Sequence, residues 1–275
     1  MKIRCFFLAA HFFWGASAIA NDVPLWEVGI GIGALSFPAY RGSDKIYNFL
    51  MPVPYFVYHG DFLKADRHGI RGSLFDYQGF DLTLSLSVSP PTERGDDDVS
   101  EAMPDLDMTA ELGPQIDYTL WCNDAYTRTL RLRLPARAAF TVESSPNSIG
   151  WVFSPNLSYD ISDLPAMPGW SLGFVAGPIY ATEKQHDYFY SVAPEYATAN
   201  RPAYQARGGY SGSQFLASLS KRYERVWMGA YVRYDTLSGA AFEESSLVAK
   251  RSSISAGFAI SWILAESKTR VSAEN

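Results

Sequence analysis

The sequence lacks most of the features that usually announce a biochemical activity. Its 275 residues include two cysteines, Cys5 and Cys122, and four histidines. Cys5 lies in a leader-like segment, so the remainder cannot build an internal disulfide framework. No zinc-ligand spacing, nucleophile elbow or phosphate-binding loop surrounds any histidine, serine or lysine. Ser73 is near His68, but no esterase motif encloses the pair. His59 and His186 are equally isolated from catalytic partners. No enzyme and no cofactor or metal are expected. Positive charge is also short: the net charge is -6, which argues against a nucleic-acid partner. No apolar run after residue 20 is long enough for a transmembrane helix, and no helical periodicity of convincing length occurs.

What is present is alternation. In "FDLTLSLSVS", Phe80, Leu82, Leu84, Leu86 and Val88 fall on one side. Asp81, Thr83, Ser85, Ser87 and Ser89 fall on the other, the period of two of a β-strand. "LWEVGIGIGALSF", "TLRLRLPARAAF", "WSLGFVAGPIY" and "SISAGFAISWIL" repeat the pattern. Alternation alone does not distinguish lipid from a protein core, because a soluble sandwich alternates too.

Three further features favour lipid. Residues 1–20, "MKIRCFFLAAHFFWGASAIA", carry Lys2 and Arg4, a short apolar run and the Ala18-Ile19-Ala20 cleavage pattern of an export signal cut after Ala20. Aromatic residues stand at the ends of apolar faces: Trp26, Trp151, Tyr159, Trp170, Tyr180, Tyr234 and Trp262 match the girdles at the two membrane surfaces. Short connections, "CNDAY", "DLPAMPG" and "YERV", alternate with long ones, Pro90–Pro104, Ala181–Gly209 and Leu237–Arg251. Short turns on one side and long loops on the other describe an outer-membrane barrel.

The expected fold is therefore all-β, a transmembrane antiparallel up-and-down barrel of about twelve strands. The strands are expected near 25–36, 47–59, 61–66, 69–75, 79–89, 105–121, 127–141, 150–161, 169–181, 210–223, 226–236 and 252–264. The stretch around "DFLKADRHGIRGSLF" is its least regular part. Residues 21–275 form the barrel domain, and residues 265–275 are read as a tail in the periplasm.

The polar faces suggest a ladder of lumen charges. A three-residue turn at "CNDAY" sets Asp117 opposite Arg131, Gln115 opposite Arg133 and Glu111 opposite Arg137. Such a ladder either plugs the interior or filters charged solutes. Inward Gly29, Gly31, Gly33, Ser85 and Ser87 are expected to leave local room. The acidic run Glu93, Asp96, Asp97, Asp98, Glu101 and Asp105 lacks the ligand spacing of a calcium loop and reads as a solvated loop.

Some motifs point further. Pro38-Ala39-Tyr40-Arg41-Gly42-Ser43, Pro54-Tyr55, Asp61-Phe62-Leu63-Lys64, "ANRPAYQARGGYSG" at 199–212, "GAAFEESSLV" at 239–248 and "SAGFAISWIL" resemble the MipA/OmpV family of MltA-interacting proteins over nearly the whole mature chain. The resemblance implies an outer-membrane barrel among lipids and lipopolysaccharide. It also implies a scaffold that links a murein transglycosylase to a murein synthase; other members are linked to permeation or adhesion. A narrow channel and a surface adhesin therefore remain alternatives. Tyr40, Arg41, Gly42, Arg201, Pro202 and Tyr204 carry the family's loop motifs and read as an ordered rim over the barrel mouth, with contact and architectural roles both open. The chain runs on past Trp262, where such barrels often end on an aromatic residue.

Overall fold

A computed structural model describes residues 22–272, except 60–62, 67–68, 73–74, 78–79, 93, 95–102, 126, 163 and 165. The strands are β1 (Asp22–Pro24), β2 (Trp26–Pro38), β3 (Ile46–His59), β4 (Leu63–Asp66), β5 (Gly69–Gly72), β6 (Phe75–Tyr77), β7 (Phe80–Ser89) and β8 (Thr109–Cys122). They continue as β9 (Arg128–Thr141), β10 (Ser148–Phe153), β11 (Asn156–Ile161), β12 (Trp170–Ala181), β13 (Gly209–Tyr223), β14 (Val226–Thr236), β15 (Ser252–Glu266) and β16 (Arg270–Ser272). Fourteen of them belong to one antiparallel sheet, in which β2 pairs with both β3 and β15. β10 and β11 both lie between β9 and β12 and are one stave, broken at Ser154-Pro155. β6 pairs with β7 and β5 lies beside the same strand, so β5 and β6 make a second broken stave that brings the ends of the sheet together. Among the described residues the strands, with each broken stave counted once, follow one another in sequence order around a barrel of about twelve staves.

The faces of this ring are inverted relative to a water-soluble protein. Ile30, Ile32, Leu84, Leu86, Leu112, Ile116, Phe258 and Trp262 are exposed on the outside. Their neighbours Glu27, Thr83, Gln115, Asp117, Ser158 and Ser261 are buried inside. An outer wall of aliphatic and aromatic side chains around a polar interior suits lipid outside. β2, β3 and β7 through β15 have ladders on both sides among the described residues, as hydrocarbon requires because it offers no partner for a free backbone group.

Two sequence expectations change here. Gly29 and Gly31, two of the three inward glycines of β2, do not open the lumen. A Cβ at Gly29 would lie 2.1 Å from the Trp262 carbonyl oxygen, and one at Gly31 would lie 2.2 Å from that of Ile260. They let β15 press close against β2. Residues 265–272, read as part of a tail, are ordered against the barrel: β15 runs on to Glu266, and β16 pairs with β1 through Asp22–Ser272, Val23–Val271 and Pro24–Arg270.

The two hydrophobic clusters among the described residues are not in the ring. They sit at one mouth, where four connections fold together. Tyr40, Leu106, Tyr190, Leu237 and Phe242 are buried there in one cluster, and Met103, Val192 and Leu247 in a second. The segment after β12 contains a helix, α1 (Glu183–Tyr190), absent from the sequence expectation. Eight residues are too few to show a helical period, and tertiary contacts hold it, since Gln185, His186 and Tyr190 are buried. Tyr190 stacks on Phe242 with ring centroids 3.6 Å apart. Residues 105–108, expected to open a strand, join this cap instead: Leu106 exchanges backbone hydrogen bonds with Thr92.

Leu84 pairs with Pro114 halfway along β7 and faces lipid, whereas Ser85 faces the lumen and accepts a hydrogen bond from Arg137. Leu84→Arg should cost about 2–4 kcal/mol, and Ser85→Ala less than about 1 kcal/mol. Urea unfolding of protein inserted in liposomes reads the difference; equal costs would mean the faces are assigned the wrong way round.

Candidate functional site

The interior holds charge on one wall and carbon on the other. The charged wall is β7, β8, β9 and β11. Arg137 donates from Nε to Glu111 at 2.9 Å, and its Nη atoms reach Ser85 and Ser154. Arg133 lies 3.9 Å from Asp117, and Arg131 pairs with Asp160 at 3.4 Å. Gln115 donates to both oxygens of Asp117.

Glu111 and Arg137 therefore meet, but the other expected pairs do not. Asp117 stands opposite Arg133 rather than Arg131, and Gln115 stands opposite Pro135 rather than Arg133. The turn is longer than three residues. Cys122 pairs with Thr129 instead of Tyr126, because Asn123 caps the turn by accepting from the Arg128 backbone N–H and donating to Thr127. A bulge between Thr119 and Trp121 takes one residue back. The net shift of two keeps every side chain on its face and changes its partner. Arg131, displaced from Asp117, finds Asp160 on β11, a partner that counting along one hairpin does not reveal.

Two other ionic groups were not singled out from the sequence. At the end that holds both chain termini, Glu27 is 1% exposed. It accepts from Arg222 and from the Tyr55 hydroxyl, and Arg222 also approaches Glu266, which pairs with Arg270. At the capped end, Asp235 accepts from both Arg41 and Arg233. Parity marks Glu27 and Arg222 as inward, but their pairing joins β2 to β13, two strands that share no ladder, and Arg41 reaches Asp235 from a loop rather than from a strand.

The loop-motif residues build the cap. The Tyr40 hydroxyl donates to the Leu247 carbonyl, and Arg41 anchors the cap to Asp235 in the barrel wall. Gly42 turns at φ 104° and accepts from the Lys250 backbone N–H, a backbone conformation that favours glycine. Buried Arg201 ties its loop by donating to the Tyr196 carbonyl, Pro202 is exposed, and Tyr204 bridges to Val192. The aromatic girdle divides between the rims. Trp26, Tyr159, Trp170 and Trp262 stand toward the turn end. Trp151, Tyr180 and Tyr234 stand toward the capped end.

The leader 1–20, His68, Ser73, Glu93, Asp96, Asp97, Asp98 and Glu101 lie outside the described residues, as does the side chain of His59. Asp105 accepts from the Arg94 backbone N–H within the cap.

His186 is fully engaged in the cap. Its Nδ1 meets the Arg207 carbonyl, its Nε2 meets the Ser211 hydroxyl, and its ring packs edge-on against Phe242. Burial holds its pKa below the ordinary histidine value, and the nearby Arg41 charge adds to this, against the opposing pull of the Arg207 carbonyl.

Among the described residues the lumen contains open space in two places. One of about 850 Å³ lies beneath the cap, and one of about 610 Å³ lies below it. Leu35, Leu216 and Tyr231 line both.

These contacts have measurable consequences. Arg137→Met should cost about 3 kcal/mol because it strands the Glu111 carboxylate. Adding Glu111→Leu should restore most of that loss, as read by urea unfolding in liposomes. For His186 the folded-state pKa is the lower one, so below about pH 6.5 the unfolded cap binds more protons. Cap stability is therefore complete above that pH and falls with acidification. Hydrogen exchange over 181–209 should accelerate as pH falls below about 6.5, after correction for intrinsic exchange. His186→Gln should flatten that dependence.

The chain also has recognisable relatives. It is 26% identical to outer membrane protein Omp26La of Vibrio anguillarum over 199 residues, 70% of each chain. It is 24% identical to outer membrane protein OmpV of Vibrio cholerae over 214 residues, 76% of each. The crystal structure of the Ralstonia pickettii toluene transporter TbuX aligns with 90% of this chain and 71% of its own at 9% identity, with a TM-score of 0.26 that is too low to argue from. The family model for MltA-interacting protein MipA matches residues 30–264, from the first membrane-crossing strand to the last. The chain belongs to the MipA family of outer-membrane proteins.

Proposed function

We propose that this protein is a non-enzymatic scaffold that holds a murein-remodelling enzyme at the periplasmic face of the outer membrane. The family's description as MltA-interacting is the observation that carries the reading. The architecture supports it over an open pore. Four connections pack into a cored cap across one mouth, and cations on the charged wall are matched to carboxylates. Both ring nitrogens of His186 are spent on structural contacts, which supports a non-catalytic reading.

The docking face is the end with the short turns, which in such barrels faces the periplasm. There β1 and β16 form a small sheet of their own, tied to the wall by Glu27, Arg222, Glu266 and Arg270. A two-stranded sheet has two free edges, and a partner can extend one by adding a strand. Pull-down from detergent extracts should recover a murein transglycosylase, with or without a synthase, with the intact protein and lose it on deletion of 267–275. Recovery of no murein enzyme with the intact protein would reject this reading.

A further inference from the structure

We infer that the chamber beneath the cap binds an apolar monocarboxylate, its acid group held by Arg41 and Arg233 and its body lying on the carbon-lined wall. The inference is independent of the docking reading and survives its failure.

The first ground is an uneven ion count. On the charged wall each arginine meets a carboxylate: Arg137 with Glu111, Arg133 with Asp117 and Arg131 with Asp160. At the capped end two guanidinium groups share the single carboxylate of Asp235. Neither reaches another carboxylate within ion-pair distance among the described residues. Asp107 is the remaining acid lining the chamber; it is exposed and makes no ion pair with them. Arg41 Nη2 is buried with no hydrogen-bond partner among the described residues. The α1 residue Gln185, also lining the chamber, has a buried Oε1 in the same condition. A carboxylate would supply the second negative charge and the missing acceptor, in the forked geometry that guanidinium favours. A hydroxyl or amine on the ligand would answer Gln185.

The second ground is the carbon surface beside these guanidiniums, which begins at Leu216, the cross-strand partner of Arg233. Leu35 and Phe37 of β2, Phe49 and Met51 of β3 and Leu216 of β13 line the same chamber. Phe37 stacks on Phe49 at 5.6 Å, yet Phe49 and Met51 remain 39% and 38% exposed. A lumen filled only to hold the barrel closed would pack these side chains, and an aqueous passage would not carry them. Free space of about 850 Å³ lined by apolar side chains with a pair of guanidiniums at its edge is the form of a small-molecule site.

The test is calorimetry on the intact protein refolded in a zwitterionic detergent, with empty micelles as the blank. The probes are 4-phenylbutyrate, its uncharged analogue 4-phenylbutanol, and acetate. The acid should bind saturably and about tenfold or more tighter than the alcohol, because only it meets the paired guanidiniums. Acetate, which lacks the body, should give no saturable heat. Arg233→Gln leaves one cation on one carboxylate and should weaken the acid toward the alcohol. Asp235→Asn should tighten the acid, and this opposite sign separates a charge effect from a damaged cap. Equal affinity for acid and alcohol, acetate binding as tight as the phenyl acid, no heat above the micelle blank, or weakening by both variants would each overturn the inference.

Discussion

Hydrocarbon offers nothing to a free peptide group, and that constraint governs this molecule. Every backbone N–H and C=O crossing the membrane has to be paired from within, so the sheet must close. Closure then fixes the side chains. A ring has one face toward lipid and one toward the lumen, and residues along each stave alternate between them. Carbon goes outward, the reverse of a soluble fold, and the polar residues left inside must satisfy one another. The arginine–carboxylate pairs along β8, β9 and β11 follow from that requirement as much as from any function. Most of the aliphatic side chains that a water-soluble protein would bury face outward here, and the clustered hydrophobic core lies in the connections at one mouth.

That division explains how much was legible from the residues. The period of two needs only local information, so the strands and their two faces could be read directly; that Leu84 meets lipid and Ser85 the lumen needed the aromatic ends, the unequal loops and the family resemblance as well. Partner identity needs register, and register depends on the turns. One misjudged turn, where Asn123 closes a longer loop than "CNDAY" suggests, moved Asp117 from Arg131 to Arg133 and left Arg131 for Asp160. The cap was the least legible part. Its helix is too short to show a period, and its core joins Tyr40, Leu106, Tyr190 and Phe242 from four separate connections. The motif residues Tyr40, Arg41, Gly42, Arg201 and Tyr204 marked the right segments, but nothing local to them states that they pack on one another. Glu27 and Arg222 escaped for the same reason: each is visibly inward, and their meeting across the lumen is written in neither strand.

The glycines of β2 show how a residue can be placed correctly and given the wrong purpose. Gly29 and Gly31 do point inward, as the alternation says. Their lack of a side chain serves the neighbouring strand rather than the lumen, because a Cβ there would strike the β15 backbone. Room in the interior comes instead from the mismatch between two walls that do not resemble each other, one built of paired charges and the other of leucine, phenylalanine and methionine.

The junction between β2 and β15 also sets a clock. These strands are joined by a ladder running from Glu27–Glu266 to Ser36–Ala256, yet more than two hundred residues of chain separate them. No local hairpin can form that ladder early, and a loop that long is slow to close. Until the last long strand arrives, β2 carries an open edge and the ring is a curved, unfinished sheet. The seam that joins β2 to β15 is therefore the pairing of the main sheet that costs the most loop closure.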